Sequence, residues 1–80
     1  MVALKLQDLR YLVAVADTNH FGRAAEQCFV SQPTLSAQLK KLEASLGVQL
    51  IERSSKRVSL TPTGAAVVTR ARQMLDASGE

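Results

Sequence analysis

Residues 21–47 read FGRAAEQCFVSQPTLSAQLKKLEASLG, and the fold turns on this stretch. Ala24 and Ala25 give a short helical run, about Phe21 to Gln27, a small face that another helix can approach closely. Cys28, Phe29 and Val30 form a turn. Ser31 then suits an N-cap, because its hydroxyl can accept from a free amide of the first turn. Pro33 falls inside that turn, where a missing N–H costs little. From there Leu35, Leu39, Leu42 and Leu46 repeat as i, i+4, i+7, i+11, the pattern of one buried face. Gly47 is a fitting C′ stop. Two helices at this spacing, the second opened by Ser-Gln-Pro-Thr, are an arrangement that puts a helix end into the DNA major groove.

The flanks extend the pattern. Leu6, Leu9, Leu12, Val13 and Ala16 predict a first helix over about Leu6 to Asp17, followed by a polar break at Thr18-Asn19-His20. After Gly47 the period shortens. Val48, Leu50 and Ile51, then Val58 and Leu60, read as a small hairpin turning at Ser54-Ser55-Lys56. Thr61 as cap and Pro62 at N1 open a last helix, in which Val67, Val68, Ala71, Met74 and Leu75 recur at three- and four-residue intervals. The fold class is mainly α, a winged helix-turn-helix with a small hairpin wing. Residues 1–61 form the winged domain and 62–80 begin a linker helix.

Eighty residues allow one modest core and no deep enzyme cleft. The formal charge is +3, and no acid occurs between Glu52 and Asp76, where Arg53, Lys56, Arg57, Arg70 and Arg72 all fall. Such a basic half suits a phosphate backbone. Cys28 is the only cysteine, which excludes a disulfide framework or a zinc cluster and makes a reducing, cytoplasmic setting the default. No apolar run reaches membrane-spanning length. Three aromatic residues are too few for a single-strand binder built on stacking platforms. No nucleophile constellation, phosphate loop or dinucleotide fingerprint is present, so no enzyme activity and no cofactor is expected.

Opposite the leucine stripe lie Pro33, Ala37 and Lys40, flanked by Thr34 and Ser36, with Gln32 at the start. Short polar side chains let a helix end come close to base edges. A Gln can pair bidentately with adenine, and a Thr methyl can touch a thymine methyl. Lys40 and Lys41 would hold phosphates and set position rather than sequence. Arg53, Lys56 and Arg57 cluster on the hairpin, where a wing arginine can enter the minor groove. The plainer readings are a solvated helix face and a solvated charged turn. Cys28 beside Phe29 and Val30 reads as a small buried hydrophobe, His20 as a cap or surface residue, and Glu43 as a partner for Lys40 at i, i+3. The apolar stripe of the last helix can pack on its own domain or on a second copy. Dimerisation through Val67, Val68, Ala71, Met74 and Leu75 is the favoured reading, and a two-fold dimer would bind a pseudo-palindromic operator.

These residues resemble the DNA-binding domain of LysR-type bacterial transcriptional regulators over about Leu4 to Leu75. The shared signature is Ala24-Ala25, Ser31-Gln32-Pro33, Leu35-Ser36, Leu42-Glu43, Leu46-Gly47, Leu50, Arg53, and Leu60-Thr61-Pro62 with Gly64. The resemblance implies double-stranded DNA as partner, a homodimer through the linker helix, and a separate C-terminal effector-sensing domain not contained in residues 1–80. It leaves room for a higher oligomer of the full-length protein and for RNA polymerase as a contact. It implies a nucleoid-associated protein of the bacterial cytoplasm. Gln32, Pro33, Thr34 and Ser36 match positions facing the major groove, and Arg53 the wing position at the minor groove.

Departures from the pattern carry expectations too. Ala37 stands where many relatives carry Arg, which removes a cation. Ile51 replaces a usual Phe, and Lys56 a usual Arg. Gly22 replaces a Ser or Thr that often touches phosphate. Lys5 replaces the Asn or Asp that would cap the first helix, so that end is expected to fray. Within the family, LQDLRYLVAVAD, HFGRAAEQCFVSQPTLSAQ and KKLE look closest to the peroxide-sensing OxyR branch, which implies an oxidative-stress activator. The alternatives are a regulator answering to a small-molecule metabolite and a winged-helix module that binds protein rather than DNA.

Overall fold

A computed structural model describes residues 5–53 and 58–77. Helix α1 spans Leu6–Thr18, α2 Phe21–Gln27 and α3 Gln32–Leu46; strands β1, Ile51–Glu52, and β2, Ser59–Leu60, precede helix α4, Pro62–Ala77. The strands pair antiparallel with Ile51 opposite Leu60 and Glu52 opposite Ser59. The architecture is a winged helix-turn-helix, mainly α. The hairpin turn at Ser54-Ser55-Lys56 lies outside the described residues.

Local chemistry explains each boundary. Lys5 stands at the N-cap of α1 and offers no side-chain hydrogen bond, as expected from its type. The helix stops at Asn19, which adopts the left-handed conformation (φ 53°) and donates its amide to Val15 O at 2.7 Å. The Asn19 side chain donates to Val58 O at 3.0 Å and so fastens the end of α1 to the approach to β2. His20 caps α2, its Nδ1 accepting from the Arg23 amide at 3.1 Å.

The turn between α2 and α3 is a Schellman motif. Val30 N donates to Ala25 O at 3.0 Å and Phe29 N to Glu26 O at 3.2 Å. Its left-handed residue is Phe29, at φ 60° and 94% exposed, where glycine or asparagine is usual. Ser31 Oγ accepts from the Thr34 amide at 3.3 Å and opens α3, which ends at Gly47 (φ 71°) with the Gly47 amide bonded to Glu43 O.

One core joins all the elements. Leu12 and Val15 of α1, Ala24 of α2, Leu35 and Leu39 of α3 and Leu50 and Ile51 of the wing have no exposed surface. A Leu so buried contributes about 1.5–3 kcal/mol relative to exposure. Ala24 and Ala25 form the small face the sequence suggested, and Leu46 closes the leucine stripe from its partly buried position.

The last helix differs from its expected role. Val68 and Ala71 are 5% and 1% exposed within this chain, and Val68 belongs to the core cluster. Their burial turns them inward within this chain. The reason is that α4 packs on α1 and spends the inner part of its apolar stripe there. Val67 is partly buried against the core as well. The face α4 leaves to solvent holds Thr63, Ala66, Arg70 and Met74, with Met74 51% exposed. An exposed ion pair, Arg72 Nη2 to Asp17 Oδ1 at 2.6 Å, also links α4 to α1.

The start of α4 is held against the wing. Thr61 N donates to Leu50 O at 3.0 Å, Thr61 Oγ1 donates to Gln49 O at 2.7 Å and accepts from the Gly64 amide at 2.9 Å. Thr61 thus caps α4 and pins it to the residues before β1. A Cβ at Gly64 would sit 2.0 Å from Leu50 O, so only glycine permits this approach.

Candidate nucleic-acid interface

Helix α3 is amphipathic in a way that turns one ridge outward. Leu35, Leu39 and Leu42 are buried, while Gln32, Pro33, Thr34, Ala37, Lys40 and Lys41 are exposed and Ser36 is partly buried. The first turn is rigid, because Ser31 Oγ both accepts from the Thr34 amide and donates to Thr34 Oγ1 at 2.9 Å. The Gln32 carboxamide leans over the start of α2, its Oε1 3.5 Å from the point a Cβ at Gly22 would occupy. Residues 32–34, 36, 37 and 40 therefore share one accessible surface of short or flexible side chains, polar at Gln32, Thr34, Ser36 and Lys40. Ala37 is an apolar gap between Thr34 and Lys40.

The wing residues divide. Lys56 and Arg57 lie outside the described residues. Arg53 is described, and it has partners within the chain. Its Nη2 stands 3.0 Å from Glu43 Oε1, and its guanidinium lies over the Phe21 ring, 5.8 Å from the centroid. Nε and Nη2 are sealed from solvent without an aligned hydrogen-bond acceptor, so the contact with Glu43 is an ion pair by proximity.

Glu43 does not take Lys40, the partner that helical spacing offers. It turns toward the wing, its Oε2 accepting from the amides of Leu50 at 2.8 Å and Ile51 at 3.0 Å. Burial pushes the Glu43 carboxyl up, but the two amides and Arg53 outweigh it and hold the group below the usual carboxylate range. Sequence reading missed this hub. The only available signal was the presence of both Glu43 and Arg53 in the family signature.

Cys28 is partly buried at the end of α2, and burial pushes its thiol up against a weaker opposite pull from Arg10. A thiol so placed is poorly reactive. It borders a groove of about 610 Å³ that also touches Leu6, Tyr11, Phe29 and Leu75. Among the described residues no group of three His, Cys, Asp or Glu side chains could hold a metal. No helix among them is long and apolar enough to cross a membrane.

Residues 6–65 match the family model of the bacterial regulatory helix-turn-helix proteins, lysR family. The chain belongs to the LysR family. Among relatives of this LysR-family domain, the DNA-binding transcriptional dual regulator OxyR of Escherichia coli K12 is 53% identical over 72 residues, 90% of this chain and 24% of OxyR. Full-length OxyR from Pseudomonas aeruginosa superposes with a TM-score of 0.91 at 51% identity, covering 96% of this chain and 26% of that one. The BenM DNA-binding domain, solved with benA site 1 DNA, superposes with a TM-score of 0.91 at 39% identity, covering 95% of this chain and 85% of that one. The chain thus spans about a quarter of the length of the OxyR proteins it matches.

Proposed function

We propose that this LysR-family domain is a sequence-specific reader of double-stranded DNA, a binding module rather than an enzyme, acting in the bacterial cytoplasm. One observation carries the reading: the outward ridge of α3, with Gln32, Pro33, Thr34, Ser36 and Ala37 exposed or partly so at its N-terminal end and Lys40 one turn beyond. In the major groove, Gln32 and Thr34 would address base edges and Lys40 a phosphate. Lys56 and Arg57 would accompany them on the minor-groove side. A structural relative solved on DNA supports this docking, and the relatives named as OxyR support a peroxide-responsive parent protein.

A homodimer on an inverted repeat follows, with residues 1–61 as the reading head and residues 62–80 as the beginning of the linker. The available face of α4 carries Ala66, Arg70 and Met74, with the partly buried Val67 at its edge. Leu75 lies partly buried at its far end. Glu at both Arg70 and Met74 should give monomers in sedimentation velocity; an unchanged mass would remove this interface. RNA polymerase and a higher oligomer would be contacts of the longer protein.

Selection of duplexes from a random pool, followed by sequencing, tests the reading. The parent should enrich an inverted repeat. Gln32→Ala should relax the preference at one position per half-site, at a cost of about 1–3 kcal/mol there. Enrichment of no sequence by the parent, or identical logos for parent and variant, would set aside respectively the function and the role of Gln32.

A further inference from the structure

The Glu43 carboxylate joins three parts of the molecule. It lies on the last turns of α3, it receives two consecutive amides at the entry to β1, and it faces the Arg53 guanidinium where β1 ends. Arg53 in turn lies against Phe21, the first residue of α2. The two side chains are 12% and 26% exposed. Both helices of the helix-turn-helix are therefore tied to the root of the wing through one ion pair. Of the Arg53 guanidinium nitrogens, Nε and Nη2 are closed to solvent, which leaves at most one edge for any outside partner.

We propose that Glu43 and Arg53 are positioning residues that fix the wing relative to the recognition helix, and that Arg53 acts through Glu43 rather than as a contact to DNA. The proposal rests on the DNA-reading function above. A guanidinium moved out to a phosphate would leave the Glu43 carboxylate, already mostly buried, without its countercharge. Leaving one member of a buried charge pair alone is the costly arrangement. Binding by the head and the wing at once requires their spacing to be right before contact, because a misplaced wing must be reset at the expense of affinity.

The two roles give opposite results in a salt series. A fluorescence-anisotropy titration would use the 80-residue chain, a duplex recovered from the random pool, and the variants Glu43→Gln, Arg53→Gln and the double variant, each verified as folded by circular dichroism. Positioning weakens both single variants on the order of 2- to 30-fold, the usual span for residues that modulate binding without touching the ligand. The double variant is then no weaker than the worse single, and the slope of log K against log salt stays that of the parent. A phosphate contact by Arg53 would instead lower the slope by about 0.9 in Arg53→Gln. It would also let Glu43→Gln bind as tightly as the parent or tighter, since a competing anion is gone. Either result, or an additive double variant, overturns the proposal.

Hydrogen exchange without DNA is an independent test, informative even if Glu43→Gln fails to fold. The Leu50 and Ile51 amides should exchange faster in Arg53→Gln than in the parent; unchanged exchange overturns the positioning role. A parent that bound no duplex at low salt would instead defeat the DNA reading and leave the exchange comparison to decide whether Arg53 holds the wing root.

Discussion

Gly64→Ala is the substitution whose outcome the packing constrains most tightly. The added Cβ would meet Leu50 O at 2.0 Å, Leu50 C at 2.9 Å and Leu50 Cα at 3.2 Å, all backbone atoms that cannot swing aside. The start of α4 must therefore retreat from β1. That retreat strains two hydrogen bonds running through Thr61, its amide to Leu50 O and its hydroxyl to Gln49 O. Overpacking of this kind costs about 1–3 kcal/mol, and a weakened hydrogen bond adds about 1 kcal/mol. Alanine returns up to about 1 kcal/mol through its better helix propensity. The net expectation is a loss of about 2 kcal/mol. An 80-residue domain has roughly 4–12 kcal/mol in total, so the loss is a substantial share. Thermal unfolding should show a Tm lower by roughly 8–16 °C, at about 4–8 °C per kcal/mol for this size, with urea unfolding giving a lower midpoint at an unchanged m-value. Ala66→Gly, on the exposed face of the same helix, serves as the propensity control and should cost about 1 kcal/mol. A Gly64→Ala protein as stable as the parent, or more so, would refute the reasoning from the Leu50 contact.

Three further outcomes follow from the ends of the helices and from Glu43. Lys5→Ser supplies the hydroxyl that the N-cap of α1 lacks and should raise stability by about 0.5–1 kcal/mol in urea unfolding; no gain would mean the first turn is capped in another way. Phe29→Asn should also stabilise, by about 0.5–1 kcal/mol, because it relieves a left-handed bulky residue whose side chain is almost fully exposed; a lower Tm would show that Phe29 makes a contribution its exposure hides. Glu43→Gln should lose about 1–2 kcal/mol near neutral pH, where the parent has a charged acceptor for two amides. Because the folded carboxyl titrates below its ordinary value of 4.5, its stabilisation is complete above that pH and is lost as the pH falls through the lower folded value. The gap between parent and variant should therefore be constant above about pH 5 and narrow below it; a gap independent of pH down to full protonation would exclude the carboxylate as the source.

Much of the fold was legible in local chemistry. Ser31, Pro33 and Gly47 delimit α3 as their types require, Thr61 and Pro62 open α4, and the leucines at 35, 39 and 42 do face inward. Periodicity shows which side of a helix is apolar but not what covers it. That is why Val68 and Ala71 read as an interface, although both are buried within this chain. Glu43 escaped for a related reason. Helical spacing offers Lys40 as its partner, while the partners it has are seven to ten positions along the chain, across a turn whose geometry only the fold supplies. Arg53 read as a wing residue at the minor groove, and its contact with Glu43 went unseen because a charge run carries no information on which member has a partner within the chain. The outward ridge from Gln32 to Lys40 was legible because exposure on a capped amphipathic helix is fixed by the buried stripe behind it.

DNA reading by the α3 ridge is tested most directly by an anisotropy titration of the chain with a selected inverted-repeat duplex and a scrambled duplex, each at low and at near-physiological salt. A reader of sequence binds the selected duplex tighter than the scrambled one by about 10³-fold or more, loses affinity steeply with salt on both, and loses most of the discrimination in the Gln32→Ala, Thr34→Ala double variant. Equal affinity for the two duplexes, or no binding to either at low salt, would contradict it.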